Sequence, residues 1–335
     1  MSSIRRILVA IKDLRVAVRP VVRKAAQVAS ATGAQLEVFH SLSVPLPMDA
    51  IAAGTMDLSR HLQVQRLAAQ KQLERIAAAV RALHPGLAVS VAAEWDAPVY
   101  DAIVRRALKI KADLIVAASH AGPHMLPGLM RLTDWELIRL SPTPLLLVRN
   151  PRPYRRPAVL VAVDPTHAFA KPLELDRSLL QLGAAISEGM RGTLHAVHAY
   201  VPVSAGTLAA DAWPVTRSAV KRVEAEARRS AQRQLDRVLK GSPVIESRRY
   251  LIARHPVDAI LQAARKSHSA IVIMGAMSRS GFRRLLIGNT AERMLDEIRC
   301  DTLVVKPAHF RNRVPRKVQG PRVVLPPPTS WPMSY

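Results

Sequence analysis

The sequence predicts an α/β protein made of two doubly wound domains in tandem, followed by a disordered C-terminal tail. The chain has 335 residues, which fits two domains of about 150 residues each. Short apolar runs alternate with longer helical patterns, which is typical of a parallel sheet covered by helices on both faces. The second half of the chain also repeats the first half, so one domain plan is used twice.

The repeat is clearest where "DAIVRRALKIKADLIVAAS" at 101–119 matches "DAILQAARKSHSAIVIMGA" at 258–276, at an offset of 157 residues. The two halves also begin alike, with "ILVAIK" at 7–12 and "VLVAVD" at 159–164, at an offset of 152 residues. We therefore expect domains over 1–150 and 157–307, each with a five-stranded, mainly parallel sheet.

The elements follow in order along each half. The first half predicts helices over 16–32, 57–83, 98–111 and 133–140, between strands in "RRILVAI", "AQLEVFHSL", "LAVSVAA", "ADLIVAA" and "PLLLV". The second half predicts a helix after its first strand and others over about 215–240, 256–267 and 289–298, between strands in "AVLVAV", "TLHAVHAYV", "VIESRRYLI", "AIVIM" and "DTLVVK". The proline-rich segment 149–157 is the linker. The basic, Pro-rich segment 308–335 lacks periodicity, which favours an extended or disordered arm.

Composition limits the function classes. The single cysteine, Cys300, excludes an intramolecular disulfide and fits a cytoplasmic location. No apolar run approaches the roughly 18–20 residues that span a membrane. The net charge of +24 is spread over the chain, with +8 in 1–150, +11 in 151–307 and +5 in 308–335. Such a chain attracts polyanions without specificity, although a solvated basic surface has the same composition.

The segment "GAMSRSGFRRLLIGNTAERM" at 275–294 connects an apolar strand to a helix. Gly275 stands at the strand end, where the absence of Cβ lets the backbone approach an anion or adopt a positive φ. Gly288 precedes Asn289 and Thr290, and Asn at a helix start leaves free N–H groups that attract anions. Arg279 adds a cationic donor. The loop either cradles a phosphate or serves only as an ordinary strand-to-helix connection.

This loop and the strand "VLVAVD" resemble the universal stress protein family. The family's nucleotide motif is a glycine, two residues, a glycine, nine residues and a glycine followed by Ser or Thr. That spacing falls here on Gly275, Ser278 and Gly288, followed by Asn289 and Thr290. The resemblance covers about 1–307 and implies two Rossmann-like, adenine nucleotide alpha hydrolase-like domains, as in tandem, UspE-like members.

The resemblance also implies roles for two residues outside the loop. Asp164 matches the aspartate that contacts adenosine in the family, and Ala199 matches a position that lines the adenine pocket. From the residues alone, a carboxylate at a strand end can accept hydrogen bonds from a ribose or an adenine amino group. However, "DPTH" is also an ordinary turn sequence, and Ala199 is also a typical core residue.

Several departures from the family motif bear on the prediction. Ser278 replaces the second glycine, and Asn289 stands where Ser or Thr is usual. In the first half no motif glycine is present, because the equivalent positions are Ala118, Ala121, Arg131 and Leu132, and the aspartate position is Lys12. The first half therefore resembles a degenerate copy that does not bind ATP in the family manner.

Other candidate residues give weaker signals. His195 and His198 lie three apart on a predicted strand, so they face opposite sides and cannot share a metal. His120 and His124 lie near Ser119 in the first-half loop, where a metal or an anion could bind. Cys300 follows Arg299, but burial as a small hydrophobic residue is the more common role of such a cysteine.

These observations predict a cytoplasmic stress-response protein that binds ATP or a similar adenine nucleotide in its second domain and acts in regulation. Nothing in the sequence identifies a general base or a metal ligand, so we expect slow ATP hydrolysis at most. The alternatives are a tandem scaffold without nucleotide and a basic nucleic-acid-associated protein. The resemblance further implies pseudo-two-fold packing of the two halves through the strands "PLLLV" and "TLVVK", and leaves further homodimerisation open.

Overall fold

The computed structural model of the chain describes residues 4–14, 19–43, 46–47, 51, 53–54, 56–119, 133–165, 173–201, 217–276, 294, 297–321 and 323–324. The first half contains strands β1 to β6 and helices α1 to α4. Their bounds are β1 Arg6–Ile11, α1 Arg19–Thr32, β2 Gln35–Leu42, β3 Leu46–Pro47, α2 Leu58–Leu83, β4 Val89–Trp95, α3 Val99–Lys109, β5 Leu114–Ala118, α4 Thr133–Leu140 and β6 Leu145–Val148.

The second half repeats this order. Its elements are β7 Ala158–Val163, α5 Leu173–Gly189, β8 Thr193–Tyr200, α6 Arg217–Leu239, β9 Arg249–Ala253, α7 Pro256–Lys266, β10 Ile271–Gly275, β11 Asp301–Val305 and β12 Val323–Val324. The described helices agree with the predicted ones to within a few residues. Within the predicted helix over 289–298 the structure describes Met294, Glu297 and Ile298, of which the first two are helical.

One ten-stranded sheet runs through both halves, in the order β4-β2-β1-β5-β6-β11-β10-β7-β8-β9. Each half contributes five parallel strands, as predicted, but the two sets form a single sheet rather than two separate ones. The junction is antiparallel, with Leu146 opposite Leu303 in the β6–β11 pair. The strands "PLLLV" and "TLVVK" therefore join the halves. Because the junction is antiparallel, the carboxyl edge of the first half and the amino edge of the second lie on the same side.

Strand alternation creates a hydrophobic core on each face of the sheet. In β1, Ile7 and Val9 enter one core, whereas Leu8 and Ala10 enter the other. The first core is covered by α1, α2, α5 and α6, and the second by α3, α4 and α7. Near-continuous apolar strands are what a sheet buried on both faces requires.

Local sequence explains where several helices begin. Asp57 caps α2 by accepting a hydrogen bond from the Arg60 N–H at 3.0 Å. Pro256 begins α7, where its fixed φ suits the first helical turn and its missing N–H has no intrahelical partner to lose. No helix among the described residues combines the length and the apolar character needed to cross a bilayer.

The predicted strand "VIESRRYLI" is wrong in its first part. Glu246–Arg248 forms a short 3₁₀ turn, and the strand begins only at Arg249. The run Glu246–Arg248 is polar throughout, so it offers no apolar face for a strand to bury.

The predicted disordered tail needs a correction for its described part. Val314 is only 6% exposed and lies in the second core. The Gln319 N–H donates to Asp96 Oδ1 at 3.0 Å, and the Pro315 carbonyl accepts from Arg105 Nη1 at 3.2 Å. Further along, Val323 pairs with Leu46 in a two-strand ladder. We call residues 310–321 and 323–324 the strap, because they lead from the second half onto the first.

Candidate functional site

The predicted nucleotide site lies at the carboxyl edge of the second half. Strand β7 has β8 on one side and β10 on the other, so the strand order reverses there. Open α/β sheets bind their ligands at such a switch point, outside the carboxyl ends of the strands. Any ligand of this half is therefore expected beside the ends of β7, β8 and β10.

Three predicted site residues lie at this edge. Asp164 directly follows β7, and the pairing of Val163 with His198 places it level with Ala199 on β8. Gly275 is the last residue of β10, which pairs with the other side of β7. Residues from three adjacent strands thus meet at one edge although 111 positions separate the first from the last in the sequence.

Hydrogen bonds fix the backbone beside Asp164 and Gly275. The Asp164 N–H donates to Asp176 Oδ1 at 3.2 Å, which ties the end of β7 to the first turn of α5. Gly275 has strand geometry, so a positive φ is not the reason for glycine at this position. The absence of a Cβ leaves the backbone at this strand end open to close approach. The next residue, Ala276, donates its N–H to the Val305 carbonyl at 2.9 Å and so keeps the strand end paired.

The other predicted site residues lie outside the described residues. They are Ser278, Arg279, Gly288, Asn289 and Thr290. The described geometry therefore covers the nucleoside side of the predicted site, and the phosphate side stays a prediction.

Comparison with known proteins identifies the family. The universal stress protein family model matches residues 3–149 and again residues 156–306. The chain belongs to the universal stress protein family. It carries two such domains in tandem, as its internal repeat predicted.

Curated relatives match this chain over most of its length. Universal stress protein E of Escherichia coli K12 is 24% identical over 236 residues, which are 69% of this chain and 72% of that protein. Universal stress protein E of Photorhabdus laumondii is 22% identical over 297 residues, covering 87% of this chain and 92% of that protein. The predicted resemblance to tandem, UspE-like universal stress proteins is confirmed.

Solved structures show the same fold. A universal stress protein from Archaeoglobus fulgidus superposes with a TM-score of 0.59 at 15% identity, covering 91% of this chain and 99% of that one. A protein of unknown function from Pseudomonas aeruginosa PAO1 gives a TM-score of 0.63 at 23% identity, covering 91% and 94% of the two chains. At these identities the comparison shows the fold alone.

The first universal stress protein domain contains a cavity that sequence reasoning missed. The cavity measures about 330 Å³ and lies at the carboxyl ends of β1, β5 and β6. Its wall includes Ala118, the position equivalent to Gly275, and Lys12, the position equivalent to Asp164. The other equivalent positions, Ala121, Arg131 and Leu132, lie outside the described residues. Because the first domain lacks the glycine motif, its sequence did not indicate a cavity at these strand ends.

The two candidate histidines on β8 are buried among protein side chains. His195 stacks against Tyr250 with ring centroids 5.9 Å apart, and its Nε2 lies 2.9 Å from Thr193 Oγ1. Burial, together with Arg248, lowers the pKa of His195. His198 is 1% exposed on the opposite face, as the spacing predicted. Within the described ranges, no three His, Cys, Asp or Glu side chains form a metal-binding group. His120 and His124 lie outside those ranges.

Cys300 lies beside the junction of the two domains. Burial and the neighbouring Asp301 carboxylate raise the pKa of its thiol to about 12. A thiol is a nucleophile only as the thiolate, so this environment does not activate Cys300. The sequence predicted burial of Cys300 as a small hydrophobic residue rather than activation by Arg299, and the raised pKa of the thiol agrees with this prediction.

Proposed function

We propose that the chain is a regulatory stress-response protein whose second domain binds ATP or a similar adenine nucleotide. The observation that supports the proposal is the meeting of Asp164, Ala199 and Gly275 at the carboxyl edge of three adjacent strands. The Asp164 carboxylate is suited to accept hydrogen bonds from ribose hydroxyls, and Gly275 leaves room beside the backbone. In this proposal the arginine-containing loop and the helix start at Asn289 hold the phosphates.

The proposal does not include rapid catalysis. Binding of nucleotide would favour one set of surface contacts over another, and any ATP hydrolysis would be slow compared with nucleotide binding and release. The region of Ser278, Arg279, Gly288, Asn289 and Thr290 would carry the phosphate contacts.

The direct test is nucleotide content. Protein purified without added nucleotide is denatured, and the released small molecules are separated and identified by mass. ATP is then titrated calorimetrically into emptied protein. We expect about one adenine nucleotide per chain and a marked loss of affinity in Asp164→Ala and Gly288→Val.

A matched control lies in the first domain. Lys12→Ala changes the position equivalent to Asp164 and should leave ATP affinity unchanged. Absence of both bound nucleotide and binding heat at millimolar ATP would overturn the proposal. The scaffold without nucleotide would then be the better description, with Ser278 and Asn289 as the substitutions that inactivated the loop.

A second candidate function is binding of nucleic acid through α6. This helix carries exposed basic side chains along its length, and two of them, Arg229 and Arg233, pair with Glu226. Arg222 and Arg237 remain exposed on the same helix, and the exposed Lys240 directly follows it. Binding to duplex DNA that falls steeply with added salt, and that weakens in Arg222→Ala/Arg237→Ala, would support this candidate.

A further inference from the structure

The first domain differs from the second on the β2 side of its carboxyl edge. Ser41 occupies the register of Ala199, because Ile11 pairs with His40 as Val163 pairs with His198. Ser41 is 3% exposed, and its hydroxyl donates to the Asp96 carbonyl at 2.6 Å. The region that would lie beside an adenine in the second domain is therefore closed in the first.

The strap reinforces this closure. The Asp96 carboxylate accepts two hydrogen bonds from Arg105, each 2.7 Å long, and a third from the Gln319 N–H. No described residue of β2 lines the cavity of the first domain. The open space is consequently displaced toward β5, β6 and the linker.

The linker forms one wall of this cavity. Arg149, Asn150 and Pro151 line the space, and Asp301 fixes the first two by accepting their backbone N–H groups at 2.9 Å each. The Pro151 carbonyl accepts from Arg23 of α1 at 2.6 Å. The cavity wall is thus held by contacts from both domains rather than by a single loop.

The charge at the switch point is reversed between the domains. Lys12 stands where the second domain has Asp164, so an ammonium group replaces a carboxylate at the end of the first strand. The first turn of α1 contributes Pro20 and Val21 to the same cavity, and a helix N-terminus carries a partial positive charge.

Two carboxylates, those of Asp13 and Asp134, also border the cavity. Asp134 Oδ1 accepts the Trp135 N–H of the first turn of its own helix at 3.2 Å. Asp13 is exposed at the rim. A ligand whose anionic group lies beside Lys12 and the first turn of α1 would be attracted to the positive side of the cavity.

Apart from Ser119, the remaining described residues of the wall are apolar. Ile11, Val21, Ile103, Leu137 and Val148 line it. A cavity of about 330 Å³ is near the lower end of the roughly 300–1,000 Å³ found for small-molecule sites. These properties fit a compact ligand with an apolar body.

We propose that this cavity of the first domain binds a small organic anion whose apolar body fills the space between β5, β6 and α4 and whose charged group meets Lys12. The site is independent of the nucleotide proposed for the second domain. It would make the tandem chain a protein with two different ligands, one in each domain.

The test uses two fluorescent probes with the same apolar body. Anilinonaphthalene sulfonate carries the anionic group, and phenylnaphthylamine lacks it. We expect saturable binding of the sulfonate at one per chain. Lys12→Met should weaken the sulfonate roughly ten- to a hundredfold, the range for one hydrogen bond to a charged group, and change phenylnaphthylamine less than about twofold.

Further variants locate the probe. Ala118→Trp places a large ring at the exposed end of β5, inside the cavity, and should abolish binding of both probes. Lys240→Met removes one exposed positive charge just after the end of α6 and should change neither. Thermal melts check that each variant is folded; if Ala118→Trp is not, the comparison of the two probes in Lys12→Met decides.

Three results would overturn the proposal. The first is weak, multiple-site binding of the sulfonate that Ala118→Trp does not alter. The second is an equal loss of both probes in Lys12→Met, which would remove the role of the charge. The third is displacement of the sulfonate by ATP in the wild type, because the cavity would then be a nucleotide site.

Discussion

Lys24 of the first domain and Asp301 of the second form an ion pair in the interior of the molecule, with Nζ 2.5 Å from Oδ2 and side chains 2% and 0% exposed. The Tyr154 hydroxyl donates to the same Oδ2 at 2.5 Å. The Arg149 and Asn150 N–H groups donate to Oδ1. The carboxylate of Asp301 is therefore fully used in holding α1, the linker and β11 together.

Removing either member of this pair should be strongly destabilising. Lys24→Met leaves the Asp301 charge buried beside fewer donors, and such changes typically cost about 3–5 kcal/mol. Burial already lowers the pKa of Lys24, against the opposing effect of its hydrogen bond to Asp301. The measurement is the free energy of unfolding in denaturant.

The controls separate this pair from ordinary surface charges. Lys24→Met/Asp301→Asn should lose less than the sum of the two single changes, because it leaves no uncompensated charge. Arg81→Met breaks the pair with Glu74, whose side chains are 44% and 50% exposed, and should cost less than about 1 kcal/mol. Equal effects of Lys24→Met and Arg81→Met would contradict the assignment of Asp301 as the centre of the junction.

The strap should contribute measurably to the stability of the first domain. Gln319→Pro removes the backbone N–H that donates to Asp96 and should destabilise by about 1.5–3 kcal/mol, the range for a hydrogen bond to a charged group. Gln319→Ala keeps that N–H and serves as the matched control. Both are compared by denaturant unfolding and by the rate of tryptic cleavage after Arg316 and Lys317.

If Gln319→Pro and Gln319→Ala unfold and are cleaved alike, the strap is not bound to Asp96 in solution. The disordered arm that the sequence predicts over 308–335 would then include this segment.

Cys300 should be unreactive in the folded protein. Its pKa of about 12 lies roughly three units above the usual value for a cysteine, so the thiolate fraction is reduced about a thousandfold. A chromogenic disulfide reagent at about pH 8 should label it slowly in buffer and at once in guanidinium. Rapid labelling of the native protein would show that the junction opens around this residue.

How far the sequence could predict this molecule depends on whether a feature is local. The helices and the strands of the repeat follow from apolar periodicity, and the glycine and aspartate at the strand ends identify the candidate site edge. Asp301 gave no such signal, because its partners Lys24 and Tyr154 are 277 and 147 positions away. Long-range polar contacts leave no periodic pattern in a sequence.

The strap was missed for a related reason. Its prolines and basic residues are typical of disorder, and a single buried side chain, Val314, produces no periodicity. The first-domain cavity was missed because its wall combines β1, α1, α4 and the linker, whose convergence follows from the topology and not from a motif.

Lys306 gives a prediction about pH. Burial and the nearby Arg139 guanidinium lower the pKa of Lys306 to about 8, and its ammonium lies 4.8 Å from the Phe310 ring centroid. The unfolded chain, with a lysine pKa of about 10.4, binds more protons than the folded protein between these two values. The contribution of Lys306 to the free energy of unfolding should therefore rise with pH from about 8 to about 10.4.

Below about pH 8 the ammonium of Lys306 is charged in the folded protein, so the full penalty of burying that charge is present. Because one pKa unit corresponds to about 1.4 kcal/mol, Lys306→Met should stabilise the protein by about 1–3 kcal/mol near neutrality. The gain should shrink as the pH approaches 10.4. Lys240→Met, at an exposed position just after α6, supplies the matched control for the loss of one charge. The free energy of unfolding of all three proteins is measured across this pH range, and a gain in Lys306→Met that stays constant with pH would contradict the buried-ammonium explanation.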